Sequence, residues 1–152
     1  ARLQRYDGVE ICSYLADQDQ IAGVYRRADA LIIPLSFERS AHRYVALSMP
    51  TKVTSYMASG TPILVYAPSD TALVEYARST GWALTVSTRS VAALLDGMKR
   101  LCSDCELRER LVSTAWQTLA QRHEEGQVRE LFRQQLRRAV MAKETVDEDR
   151  LG

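Results

Sequence analysis

The feature that most constrains the fold is an alternation of short apolar segments with helical patterns over the first 86 residues. Four segments have the composition of β-strands, and they lie at residues 9–14, 30–34, 62–66 and 82–86. Three helical patterns separate them, at residues 17–27, 51–59 and 70–79. Parallel strands need a crossover connection, which a helix usually supplies, so this order is typical of α/β domains. We therefore expect four parallel strands.

Single residues support these boundaries. Gly60 and Gly81 follow helical patterns and suit a left-handed helix end. The run at 30–34 is almost continuously apolar, so we expect a strand covered on both faces. Pro34 should end that strand, because proline lacks the N–H that a central strand donates. Residues 36–50 have no clear period and are predicted to form a loop.

Beyond residue 86 the strand patterns stop and three amphipathic helices follow. The first covers 91–102, the second opens at a capping-box pattern in 103–106, and the third covers 128–140. The end of the chain, 144–152, is acidic and poor in apolar residues, so we expect it to be disordered. The prediction is one Rossmann-like, three-layer α/β domain over 1–143, with a parallel sheet and a C-terminal helical extension.

The composition excludes several classes of protein. The chain has 152 residues, 46% of them hydrophobic, and 20 Lys and Arg against 19 Asp and Glu. A net charge of +1 gives no reason to expect a nucleic-acid partner. No apolar run approaches the roughly 20 residues of a membrane-spanning helix. The odd count of three cysteines, Cys12, Cys102 and Cys105, favours a reducing, cytoplasmic location over a disulfide framework.

Charged and hydrogen-bonding side chains that could contact a ligand are concentrated in one segment. This segment is the predicted loop after the 30–34 strand together with the helix after that loop. In an open parallel sheet, ligands bind outside the carboxyl ends of the strands. Lys52 lies in the first helical turn, where the helix dipole favours an anion rather than a cation. A bound diphosphate explains that placement, and the alternative is a Lys52 that points into solvent.

This segment resembles a known family. The stretch SMPTKVTSYMASGTPIL, with ADALIIPLSFE before it, is similar to the donor-site segment of the glycogen-synthase-like retaining glycosyltransferases of group 1. The match runs through Pro50, Lys52, Tyr56, Ala58, Gly60 and Pro62. Downstream, RSVAALLDGMKRLCSDCELRERL resembles the helix pair of the same family, so the likeness covers roughly residues 9–136.

The resemblance implies the C-terminal, nucleotide-sugar-binding half of a GT-B enzyme that builds a polysaccharide, glycolipid or other glycoconjugate. The donor is then a UDP-, GDP- or ADP-linked sugar, with no further cofactor and no metal. The acceptor is bound by an N-terminal domain, so we expect the chain to be inactive by itself. The implied donor-binding residues are Ser36, Phe37, Glu38, Arg39, Ser48, Met49, Pro50, Thr51, Lys52 and Ser55.

The sequence departs from this family at two acidic positions. The family usually carries two Glu separated by seven residues, and Leu47 and Ser55 stand at those positions here. Ser55 still offers a hydrogen bond to a ribose hydroxyl, but a weaker one than a carboxylate offers. Two alternatives therefore stay open: a degenerate binding or scaffold module without activity, and a GT-B-like nucleotide-sugar epimerase. No catalytic residue is assigned.

Three further patterns have ordinary structural explanations that we favour. Cys102 and Cys105 form a CxxC, but neither a second CxxC nor a nearby His supports a metal site. His42 is a candidate catalytic base, although a loop His is more often solvated. The basic last helix is suited to an anionic membrane surface, but we favour the simpler explanation, a solvated face of a helix whose apolar side packs on the domain.

Overall fold

A computed structural model describes residues 6–151 of the chain, with side chains described as far as residue 138. The elements are α1 (Gln18–Arg27), β1 (Leu31–Pro34), α2 (Arg39–Val45), α3 (Lys52–Ala58), β2 (Ile63–Tyr66), α4 (Ala72–Thr80), β3 (Leu84–Val86), α5 (Val91–Ser103), α6 (Cys105–Arg122) and α7 (Glu125–Leu151). The strands form one parallel sheet in the order β1-β2-β3. Three of the four predicted strands and their parallel pairing are confirmed.

The strand predicted at 9–14 is wrong. That segment has no regular structure, and the Val9 N–H bonds the Tyr6 carbonyl in a local turn. Alternation of apolar and polar residues produces a strand only when one face is buried, and here Tyr14 is 91% exposed. β1 is consequently an edge strand of the described sheet. The expectation that it is covered on both faces is also wrong, because Ile32 is 39% exposed.

Helices cover both faces of the central strand, β2. Ile63 and Val65 pack with α3 and α4 in one core cluster, where Met57 and Leu73 are fully buried. Leu64 points to the other face, into a cluster formed with α5 and α6. This alternation is the period-2 pattern of a strand whose two sides are both buried. The predicted three-layer arrangement with C-terminal helices is confirmed.

Two helix ends predicted at glycine are confirmed, and one predicted helix start is wrong in detail. Gly60 and Gly81 have φ angles of 77° and 80°, in the left-handed region that glycine tolerates. The capping box predicted in 103–106 is wrong in its first residue. Ser103 still belongs to α5 and donates its hydroxyl to the Lys99 carbonyl, whereas Asp104 is extended and accepts from the Leu107 N–H at 2.9 Å.

The segment predicted as a loop at 36–50 contains the short helix α2. None of the residues of α2 is buried, so no hydrophobic period marks it in the sequence. A contact with another helix stabilises α2: the carbonyl of Ala46, the residue after α2, accepts the N–H of Ala72 at 2.7 Å. This bond fixes the end of α2 against the beginning of α4.

The predicted third C-terminal helix is present as α7, and the large apolar side chains described in it, which lie before residue 139, are exposed. Val128, Leu131, Phe132 and Leu136 have exposed fractions of 47% to 62%. The side chains of the tail at 144–152 lie outside the described residues, so the domain end at residue 143 stays a prediction. Within the described part of the chain, none of the helices combines the length and the hydropathy that crossing a membrane requires.

Candidate functional site

A cleft of about 440 Å³ opens at the carboxyl ends of β1 and β2. Four of its lining residues follow β1 or begin α2, one lies further along α2, and two follow β2: Ser36, Phe37, Glu38, Arg39, His42, Pro68 and Asp70. The carboxyl ends of parallel strands meet at one edge of a sheet, which is where open α/β domains bind ligands. The cleft therefore lies at the edge of the sheet where open α/β domains bind their ligands.

Backbone contacts hold the loop after β1 in place. The Leu35 N–H donates to the Tyr66 carbonyl at 2.9 Å, which extends the β1–β2 pairing into the loop. The Ser36 hydroxyl accepts the Glu38 N–H at 3.1 Å and tightens the turn. The Phe37 ring packs against the Tyr66 ring with the centroids 4.8 Å apart. One wall of the cleft is thus anchored to the sheet.

One ion pair and one histidine–carboxylate hydrogen bond connect the loops around the cleft. The Arg89 guanidinium, which follows β3, donates to the Glu38 carboxylate at 2.5 Å. His42 Nε2 lies 2.8 Å from Asp70 Oδ2 and joins α2 to the loop after β2. The hydrogen bond from His42, with a smaller contribution from a backbone hydrogen bond, holds the pKa of Asp70 below its usual value. Loops after all three strands therefore meet here.

Arg39 differs from the other charged residues of the cleft. It forms no salt bridge with any residue whose side chain the structure describes. Arg39 and His42 are three positions apart on α2, so they lie on the same side of that helix. An unpaired guanidinium offers five N–H donors in a planar fork that matches phosphate and carboxylate groups. The cleft is equipped to bind an anion.

The ten residues implied by the family resemblance do not all meet at this cleft. Ser36, Phe37, Glu38 and Arg39 line it. The remaining six do not, and they are Ser48, Met49, Pro50, Thr51, Lys52 and Ser55. Lys52 is exposed, with its ammonium 6.0 Å from the centroid of the Tyr56 ring. Ser55 is also exposed. The six lie after α2, which separates them in the chain from the four that line the cleft.

Sequence reasoning missed three residues of this site: Pro68, Asp70 and Arg89. It also regarded His42 as a solvated loop residue, whereas the structure pairs it with Asp70. A signal for Asp70 was present, because it follows β2 as Glu38 follows β1, and the carboxyl-edge rule applies to both strands. The same rule applied to β3 points to Arg89.

A second groove adjoins the cleft and shares Asp70 with it. Its other lining residues are Ser69, Thr71, Glu75, Arg78 and Ser79. Arg78 donates to the Ser87 hydroxyl at 3.1 Å. Within the described residues, no group of three or more His, Cys, Asp or Glu is arranged to hold a metal ion. Cys102 and Cys105 are exposed and free.

Comparison with known proteins identifies the family. The family model described as "Glycosyl transferases group 1" matches residues 1–104, which is more than half of the chain and includes every residue of the cleft together with Arg89. Neither the curated proteins nor the solved structures contain a significant match to the chain.

Proposed function

The chain belongs to the group 1 glycosyl transferases, and we propose that its cleft binds the pyrophosphate of a nucleotide-sugar donor. The observation that carries this proposal is the charge arrangement at the carboxyl edge. Both acidic residues of the cleft are paired with a basic side chain, and Arg39 is left without a carboxylate partner. An anionic ligand supplies the partner that Arg39 lacks.

In this proposal Arg39 acts on the leaving group. When the bond from the sugar to the phosphate breaks, negative charge grows on the phosphate oxygen that departs. A preorganised guanidinium at that oxygen stabilises the transition state more than the ground state. The carboxylate of Glu38 is placed to accept hydrogen bonds from hydroxyl groups of the donor. We further propose a retaining GT-B enzyme in which a second domain brings the acceptor to this donor.

The binding experiment compares two arginines on the same helix. We expect Arg39→Gln to weaken binding of a UDP-, GDP- or ADP-linked glucose by roughly 1–3 kcal/mol, the range for a charge-assisted hydrogen bond. Arg43→Gln is the matched control, because Arg43 donates to the Tyr44 hydroxyl and does not line the cleft. Isothermal titration calorimetry measures both. Equal affinity of the parent and Arg39→Gln, or equal loss in both variants, would overturn the assignment of the cleft.

A third variant locates the donor relative to α3. If the pyrophosphate lies in the cleft, Lys52→Gln changes affinity by less than about twofold, since Lys52 lies outside it. A loss at Lys52 with none at Arg39 would instead place the diphosphate at the beginning of α3. Absence of binding by all three nucleotide sugars would favour a degenerate module whose site has decayed.

One observation favours a second candidate function, a nucleotide-sugar epimerase. The cleft brings together a histidine and two carboxylates, His42, Glu38 and Asp70, and such groups serve as acid and base in proton transfer at carbon. The test is incubation of each nucleotide sugar with the protein in D₂O, without an acceptor. An epimeric product that carries deuterium, detected by NMR, would establish the epimerase, and an unchanged donor would show that the protein does not epimerise that nucleotide sugar.

A further inference from the structure

We infer that the proton on His42 sets the net charge of the cleft, so that the nucleotide sugar binds to the form in which His42 is protonated. This inference rests on the proposed function, because it concerns the same anionic ligand. In this inference His42 is a second cation that contacts the pyrophosphate, and Asp70 is the residue that positions His42. Donor binding then depends on pH.

The charges around the cleft support this inference. Glu38 and Arg89 cancel each other in their ion pair, and Arg39 contributes one positive charge. Asp70 contributes one negative charge, which His42 cancels only when it is protonated. The cleft with its direct partners is therefore singly positive when His42 is protonated and neutral when it is not. A single proton decides whether the cleft attracts an anion.

The other charged side chains near His42 belong to arginines and to carboxylates. Arg43 is its neighbour on α2, and arginine stays protonated at all relevant pH values. Glu75 and Arg78, which line the adjoining groove beyond Asp70, have opposite charges. The hydrogen bond from His42 keeps the pKa of Asp70 below its usual value of 3.8, so this carboxylate stays ionised wherever imidazole titrates. His42 is the only histidine among the residues that line the cleft.

The direction and size of the effect follow from this charge balance. An unperturbed imidazole loses its proton between about pH 5 and pH 8. Affinity should therefore be highest at the acidic end and fall as the pH rises. One unit charge about 4 Å from a phosphate, in a solvent-exposed cleft, corresponds to about a five- to tenfold change in affinity. The effect should shrink at high salt, because the side chains of both His42 and Asp70 are exposed.

The experiment measures binding of a nucleotide sugar by calorimetry from about pH 5.5 to about pH 8 at constant low ionic strength. The probe is whichever of UDP-, GDP- or ADP-glucose binds, since each phosphate of these compounds carries one ester and one anhydride bond and has no proton to lose in that range. We expect the parent to lose affinity about five- to tenfold as the pH rises. His42→Gln should bind equally at every pH, at the level of the parent near pH 8.

His123→Gln is the matched control, because the chain has only two histidines and His123 bonds the Tyr76 hydroxyl, away from the cleft. It should keep the pH dependence of the parent. Persistence of that dependence in His42→Gln, or its loss in His123→Gln, would overturn the inference.

Asp70→Asn separates an electrostatic role from a structural one. The substitution removes a negative charge, so near pH 8 the variant should bind the nucleotide sugar about five- to tenfold more tightly than the parent. If Asp70 only holds α2 in place, the variant will bind more weakly at every pH, which refutes the charge argument.

Arg39→Gln distinguishes failure of this inference from failure of the proposed function. Weaker binding in Arg39→Gln together with a pH dependence that survives in His42→Gln refutes only the role of His42. A parent that binds no nucleotide sugar, or an Arg39→Gln variant that binds like the parent, refutes the proposed function and this inference with it.

Discussion

Gly97 allows α5 to approach the sheet, and replacing it with alanine should destabilise the protein. A Cβ at this position would lie 2.9 Å from Val86 Cγ2 and 3.2 Å from Leu64 Cδ1. Carbon atoms in contact normally lie about 3.5–4.0 Å apart. The methyl group must therefore displace a strand residue, and Val86 is β-branched with little rotamer freedom. Overpacking of this kind costs about 1–3 kcal/mol.

The helix itself gains from the same substitution. Alanine is favoured over glycine in a helix interior by about 1 kcal/mol, so the net effect of Gly97→Ala is a destabilisation of about 0–2 kcal/mol. Gly23→Ala in α1 is the matched control, because its Cβ would meet only Arg27 Nη1, at 3.8 Å. It should stabilise the protein by about 0.5–1 kcal/mol. The difference between the two variants isolates the steric cost, since the helix preference is common to both.

Urea unfolding, followed by circular dichroism, measures the free energy of unfolding of the parent and of both variants. We expect the two variants to differ by about 1–3 kcal/mol, which for a chain of this length is a difference of several degrees in Tm. Equal changes at Gly97 and Gly23 would show that α5 does not lie against β2 and β3 at this distance. Gly97→Val should cost more than alanine, because its two further methyl groups meet the same strands.

Three further predictions concern helix ends and turns. Asp104→Ala should destabilise the protein by about 1 kcal/mol and Ser103→Ala by less than about 0.5 kcal/mol, because only Asp104 caps α6. Urea unfolding measures both, and a larger loss in Ser103→Ala would show that Ser103 is the cap. The N–H groups of Gly126 and Gln127 hold the pKa of Glu124 below its usual value of 4.5, so this cap of α7 is complete above that pH and is lost as the pH falls through the lower folded-state value. After correction for the intrinsic exchange rate, amide exchange at those two residues should accelerate on acidification in the parent. In Glu124→Gln, which has no carboxylate to protonate, the corrected exchange rate should not change with pH. Gly81→Ala should cost about 1–2 kcal/mol in the same unfolding assay, because alanine is strained at a φ of 80°; no change would contradict the left-handed turn.

Local patterns in the sequence were sufficient to predict most of the fold. The runs that became β1 and β2 are continuously apolar, and strands of this kind are recognisable from the segment alone. Gly60 and Gly81 ended their helices as expected, since the need for a positive φ is a property of one residue. The donor-site resemblance around Lys52 also depended only on neighbouring residues, and it led to the correct family.

The prediction failed wherever the outcome depended on a distant partner. The alternating segment at 9–14 would form a strand only beside another strand, and no described strand pairs with it. The helix α2 has no buried residue and is held by a bond from Ala72. Neither property is visible in the residues of the segment itself.

The candidate site shows the same division between sequence and structure. The chain order alone places Ser36, Phe37, Glu38 and Arg39 after a strand, and this was enough to mark them as candidates. Only the tertiary structure brings Asp70 to His42 across 28 positions, and Arg89 to Glu38 across 51. The charge of the cleft depends on these two pairs. It is decided by how the loops after three strands converge at one edge of the sheet, because electrostatic interactions depend on distance in space and not on separation along the chain.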